Sequence, residues 1–228
     1  MRIAILFSGG KDSTFTAYYY IQQAWDVKCL ITLRSENKYS YMFHTPNIDI
    51  TKLQAQAMKL PLLEQQTKGE KETELQDLKK AFEKAKKQYK IKGVAVGAVL
   101  SDYQHERVNR VCESLNLKCF SPLWHKNQEL LLRDMIDSGF NIIIQSIAAY
   151  GLTKEWLGRQ IDIKTLAELV KMQKKFGLHP AGEGGEYESL VLDCQIFKKK
   201  LVIRSARKEM EDENTGKLVI ENVELKKK

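Results

Sequence analysis

Long apolar runs, paired cysteines and proline are all scarce in this 228-residue sequence. No stretch approaches the ~18 consecutive apolar residues that mark a membrane-spanning helix. The opening Met1-Arg2-Ile3-Ala4-Ile5-Leu6-Phe7 is too short and wrongly flanked for a signal peptide. A soluble, cytoplasmic location with no membrane partner is therefore expected. The four cysteines, Cys29, Cys112, Cys119 and Cys194, form no C-x-x-C pair and no zinc-ligand spacing, so they are expected to be reduced and mostly structural. Only 4 prolines accompany 43% hydrophobic and 29% charged residues, which excludes a disordered or fibrous chain. Internal repeats and low-complexity linkers are absent too. So are G-x-x-x-x-G-K-[ST] and any strand-linked G-x-G-x-x-G, the ordinary NTPase and dinucleotide fingerprints.

The net charge of +8 suits an anionic partner in principle. Residues 195 to 228, however, hold ten Lys/Arg against six Asp/Glu and so supply half of that excess. The Lys198-Lys199-Lys200 and Lys226-Lys227-Lys228 clusters read as solvated ends rather than a binding groove, which argues against a nucleic-acid partner.

Along the first half, short apolar runs alternate with helical patterns. Strands are expected at 2 to 7, Val27 to Leu33, Leu60 to Leu63, Val94 to Val99 and Leu117 to Phe120. Helices are expected from Asp12 to about Gln23, over Ile48 to Lys59, Glu70 to Lys90 and Asp102 to Leu115. In the third of these, Leu75, Leu78, Phe82, Ala85 and Tyr89 recur every three or four residues and form one apolar stripe. Such alternation predicts an α/β, Rossmann-like domain with a parallel five-stranded sheet. The pattern changes after Pro122: helices at Gln128 to Ile136 and Thr165 to Phe176 accompany β-like runs at Asn141 to Ala149, Ser189 to Phe197, Lys200 to Arg204 and Lys217 to Leu225. A second, smaller α+β domain is expected, with boundaries at 1–122 and 123–228.

The first strand ends in Ser8-Gly9-Gly10-Lys11-Asp12-Ser13. Two glycines let the backbone turn tightly, and the following helix aims its free N–H groups and positive dipole end at the same space, where an anion belongs. Lys11 adds a full charge, while the Ser8 and Ser13 hydroxyls can donate to phosphate oxygens or cap the helix. Asp12 suits phosphate only by binding Mg²⁺ or orienting Lys11.

That loop resembles those of the PP-loop ATP pyrophosphatases (HUP-type folds). With Gly97-Ala98-Val99-Leu100-Ser101-Asp102-Tyr103-Gln104, Pro122-Leu123-Trp124, Trp156-Leu157-Gly158-Arg159 and Gly182-Glu183-Gly184-Gly185-Glu186-Tyr187-Glu188-Ser189, the whole sequence is similar to the diphthine–ammonia ligase family of archaeal and eukaryotic enzymes. Ser189 is a departure, since the family more often has Thr there. The resemblance implies an ATP- and Mg²⁺-dependent amide ligase. It would adenylate the carboxylate of diphthine on elongation factor 2 and amidate it with ammonium, releasing AMP and pyrophosphate. It also implies nucleotide contacts at 8 to 13, Lys11 and Asp12 in catalysis, and Asp12 as the Mg²⁺ ligand.

Glu183, Glu186 and Glu188 are then the acceptor-side carboxylates, offered to ammonium or to the trimethylammonium of diphthine, with Glu186 the catalytic candidate. Gly97 would permit close approach of adenosine. Asp102 and Tyr103, at the carboxyl end of the sheet, are substrate candidates, although an Asp after Ser is equally a helix cap. His44 is a candidate nucleotide or substrate contact in the loop after the second strand. His105, His125 and His179 show no partner spacing, and Trp124 and Trp156 are expected in the core or at a domain interface. Two alternatives stay open: an adenylating enzyme with another acceptor such as tRNA, and a non-catalytic nucleotide sensor. The oligomeric state is open, a homodimer included.

Overall fold

The computed structural model describes residues 1–36, 47–70 and 73–228. They divide into two compact units, one comprising Met1–Ser8 and Asp12–Trp124, the other Gly9–Lys11 and His125–Lys228.

In the first unit, β1 (Arg2–Leu6), β2 (Asp26–Ser35), β3 (Leu62–Thr67), β4 (Gly93–Ala95) and β5 (Lys118–Phe120) alternate with α1 (Lys11–Gln22), α2 (Thr51–Met58), α3 (Thr73–Tyr89) and α4 (Asp102–Ser114). The five strands form one parallel sheet in the order β3-β2-β1-β4-β5. Parallel neighbours cannot be joined by a tight turn, so each connection crosses a face of the sheet through a helix. β1 is central and covered on both faces: Ile3, Ala4 and Ile5 are fully buried. The strand order reverses between β1 and β4, and in such sheets ligands bind outside the carboxyl ends of the strands at that reversal.

The α3 stripe packs as its spacing predicts, with Leu78, Ala81, Phe82 and Ala85 buried in one cluster with Cys29, Ile31, Val94 and Val108. Within this unit strand bounds depart most from expectation at two places. β3 starts later and runs further, through Glu64, Gln65 and Gln66, because an edge strand is half exposed and carries polar residues. β4 ends at Ala95 rather than Val99: Val96 N–H still donates to the Phe120 carbonyl, but from Gly97 the chain leaves the sheet toward α4.

In the second unit, α5 (Gln128–Asp137), β6 (Asn141–Ala148), α6 (Ile163–Phe176), β7 (Tyr187–Asp193), β8 (Lys199–Met210) and β9 (Thr215–Lys227) build an antiparallel sheet in the order β7-β6-β9-β8. The run expected at Ser189 to Phe197 is found at Tyr187–Asp193, and that at Lys200 to Arg204 extends over Lys199–Met210. The Asp162 side chain caps α6 by accepting from Thr165 N–H. Both lysine clusters are exposed, as solvated ends would be, yet they belong to the sheet. Lys199 faces Lys227 and Lys200 faces Lys226 across the β8–β9 ribbon, and Lys228 pairs with Asp193 at 2.7 Å. Among the described residues no helix is long and apolar enough to cross a membrane.

Replacing Phe82 with Ala deletes a fully buried ring from the face of α3 that packs on the sheet. Urea unfolding should show a loss of about 3–5 kcal/mol; a loss below about 1 kcal/mol would mean that the stripe does not carry the packing of this unit.

Candidate active site

The candidate anion site is built where β1 gives way to α1. Phe7 N–H donates to the Ile31 carbonyl and Thr32 Oγ1 donates to the Phe7 carbonyl, so β2 holds the chain one residue beyond the end of β1. Beyond it, Ser8 N–H donates to Ser13 Oγ at 3.2 Å, and the two hydroxyls lie 3.2 Å apart. The chain thus closes a small ring at the first turn of α1, whose N-terminal amides and dipole favour negative charge. Asp12 lies in that first turn.

Gly97 has a specific reason to be glycine. A Cβ there would stand 2.7 Å from the Asp12 carbonyl carbon and 2.9 Å from Ser13 N, both backbone atoms of α1. The expected closeness to adenosine is thus, first, closeness to the helix that carries the loop. At α4 the side chain of Ser101 is the cap, accepting from Gln104 N–H, so Asp102 is the first helical residue rather than the cap. The Arg107 guanidinium lies 3.5 Å over the Tyr103 ring, and His105 stacks on Trp124 at 4.2 Å while its Nδ1 meets Ser121 Oγ at 3.1 Å.

Gly9–Lys11 belong to the second unit through their contacts with β7. Lys11 N–H donates to Ser189 Oγ at 3.1 Å, and Val191 N–H donates to the Gly9 carbonyl at 3.2 Å. Gly9 is left-handed, with φ 81°. Lys11 is only 4% exposed, its ammonium 5.7 Å from the centre of the Tyr187 ring. Tyr187 is itself fixed by its hydroxyl, which donates to the Pro180 carbonyl at 2.7 Å.

The acidic segment before β7 is not uniform. One Glu186 oxygen accepts from His179 N–H at 2.8 Å and meets His179 Nδ1 at 2.9 Å, and the other accepts from Gly184 N–H at 2.7 Å. This carboxylate shapes its own loop, whereas Glu188 is exposed and Glu183 half-buried.

Of the expected site residues, the first unit therefore carries Ser8, Asp12, Ser13, Gly97, Asp102 and Tyr103. The second carries Gly9, Gly10, Lys11, Glu183, Glu186 and Glu188. His44 lies outside the described residues. Sequence reasoning passed over Tyr187 and Gln145. The signal for Gln145 was present, an amide directly after the three isoleucines Ile142, Ile143 and Ile144.

Thiol chemistry has little support. Burial pushes Cys29 and Cys194 up to about 12, and the hydrogen bond between Cys112 and Cys119 raises the former and lowers the latter. Among the described residues no three His, Cys, Asp or Glu side chains converge on a metal position. A Mg²⁺ ion held largely by phosphates needs few protein ligands, and Asp12 in the first turn of α1 would supply one hard carboxylate to it.

Comparison with known proteins gives matches along both halves. Residues 1–119 match the family model of the diphthamide synthase N-terminal domain and residues 127–225 that of the diphthamide synthase C-terminal domain. A protein of Mus musculus named diphthine–ammonia ligase is 42% identical over 229 residues, covering 90% of this chain and 84% of the relative. Its Homo sapiens namesake is 39% identical over 225 residues, with the same coverage. A Schizosaccharomyces pombe protein of that name is 38% identical over 238 residues, covering 96% of this chain but 38% of the relative. A solved structure from Methanocaldococcus jannaschii, titled as a predicted subunit of tRNA methyltransferase, superposes with a TM-score of 0.44 at 16% identity, covering 86% of this chain and 98% of that one.

Gly97→Ala should lower the melting temperature by several degrees and weaken ATP binding, because the helix backbone at Asp12 must shift to admit a methyl group. Differential scanning calorimetry and an ATP titration check both effects; wild-type values in both would mean that the start of α1 is free to move.

Proposed function

The chain belongs to the diphthamide synthase family, and on that premise we propose that it is an ATP-dependent ligase converting the carboxylate of diphthine on elongation factor 2 into an amide. The observation that carries the reading to chemistry is the buried Lys11 at the start of α1, inside a ring of loop hydrogen bonds that suits phosphate. A carboxylate is a poor acyl donor because its leaving group would be an oxide. Attack of a carboxylate oxygen on the α-phosphorus of ATP expels pyrophosphate and leaves an acyl-adenylate. Ammonia then adds to the carbonyl carbon and AMP departs, with one proton lost from nitrogen.

The chain's own groups supply mostly electrostatics. Loop amides and the Lys11 ammonium face the negative charge that builds on the departing pyrophosphate, and preorganised donors of this kind are commonly the largest catalytic term. Ser8 and Ser13 hold the loop closed, and Gly97 lets the start of α1 sit against the end of β4. Mg²⁺, where bound at Asp12 with the phosphates, would neutralise further charge. On the acceptor side, Glu186 fixes the loop, and Glu183 and Glu188 present carboxylates to ammonium or to the trimethylammonium group of diphthine. Asp102 and Tyr103 remain substrate candidates on the nucleotide-binding half. In this assignment residues 1–122 serve ATP and 123–228 serve the acceptor, in the cytoplasm.

The decisive experiment incubates the protein with diphthine-bearing elongation factor 2, Mg-ATP and ammonium, following the modified peptide by mass spectrometry and AMP and pyrophosphate in parallel. One AMP per amide is expected. AMP formed only with another acceptor, such as tRNA, would overturn the substrate, and no AMP with any acceptor would leave a nucleotide sensor.

In that assay Lys11→Ala should lose about 1.5–3 kcal/mol of transition-state stabilisation, or roughly 10- to 150-fold in kcat/KM for ATP. Unchanged turnover would remove Lys11 from the phosphate site. Glu186→Gln places an amide where two backbone N–H groups now donate, and should stop amide formation while sparing ATP binding. Loss of ATP binding with an intact fold would assign the loop to the nucleotide instead.

A further inference from the structure

We infer that Ser189, held by Gln145, is a positioning residue for the phosphate loop, so that strand β7 sets the backbone shape in which ATP is received. The inference rests on the adenylation reading above and adds two residues to it.

Gln145 interrupts the isoleucines of β6 and is fully buried. The β6–β7 ladder pairs Ile144 with Ser189 and then Ser146 with Glu188, and the register shift between these pairs leaves Gln145 as the extra residue of a bulge. A bulge re-aims the side chain it carries. Here Gln145 Nε2 donates to the Ser189 carbonyl at 3.1 Å. A buried amide is costly unless it is bonded, so packing alone would favour an apolar residue at this position.

Ser189, 4% exposed, uses its hydroxyl to accept from Lys11 N–H at 3.1 Å. Two residues further along β7, Val191 N–H donates to the Gly9 carbonyl at 3.2 Å. One bond takes a donor of the loop and the other an acceptor, and together they bracket Gly10. Two adjacent glycines are weakly restrained backbone. Pinning Gly9 and Lys11 to a strand removes that freedom before the ligand arrives, which raises affinity by lowering the ordering cost of binding. None of these groups needs to touch ATP.

The test measures ATP and acceptor kinetics in the full chain for Ser189→Ala, Ser189→Thr and Gln145→Met. Ser189→Ala should raise KM for ATP about tenfold while kcat changes less than threefold and KM for the diphthine-bearing protein stays at the wild-type value. Ser189→Thr keeps the hydroxyl and should restore KM to within twofold. Gln145→Met, similar in volume but unable to donate, should shift KM for ATP in the same direction by a smaller factor. Should Ser189→Ala fail to fold, Ser189→Cys preserves volume with a weaker acceptor and is judged by the same tenfold criterion. A wild-type KM for ATP in the Ala or Cys variant, or an equal rise in the Thr variant, overturns the inference. Calorimetric titration with Mg-ATP alone separates the two claims. Tenfold weaker binding in Ser189→Ala supports the latch even if the acceptor proves to be another molecule, and unchanged binding sinks it even if the amide is formed.

Discussion

Backbone amides at the start of α1 are the interaction on which the rest of the structure depends. An anion can be held there only if the amides stand still, and the sequence at that point, two glycines in a row, is poorly able to hold itself still. The surrounding architecture compensates. β1 is pinned to its end by β2, Ser8 and Ser13 close the loop upon itself, and Gly97 yields the space that the first turn of α1 occupies. Ser189 and Val191 then fasten Gly9 and Lys11 from β7. Each contact is ordinary in strength. Together they replace the conformational freedom of the loop with one geometry.

Charge follows the same logic. The protein is basic overall, yet much of that excess is displayed at the open end of the β8–β9 ribbon, where lysines face one another in exposed positions. The cation of the candidate site is a different one, Lys11, which is buried with its ammonium near the Tyr187 ring. In the acidic loop one carboxylate, Glu186, meets three polar groups of its own loop, the His179 and Gly184 N–H groups and His179 Nδ1.

The α/β alternation was legible because parallel strands buried on both faces leave apolar runs, and the helices between them carry stripes, as in α3. Where burial is only partial the signal faded, so the polar edge strand β3 was placed too early. The antiparallel sheet was visible as β-like runs but not as an order of strands, since a pattern of period two says which face is buried and not which neighbour pairs.

Short-range chemistry and long-range contact divide the site in the same way. The sequence by itself determined the strand, glycine turn, lysine and helix start of the candidate phosphate loop, because they lie within a few consecutive residues. It also marked Gly182 to Ser189 as a special segment. Only the tertiary structure decided that Gly97 is required by the backbone of Asp12, that Glu186 binds its own loop, and that Ser189, itself bonded by Gln145, holds Lys11. Those bonds join positions up to 178 residues apart, and a hydrogen bond depends on distance and angle in space, which no spacing along the chain encodes.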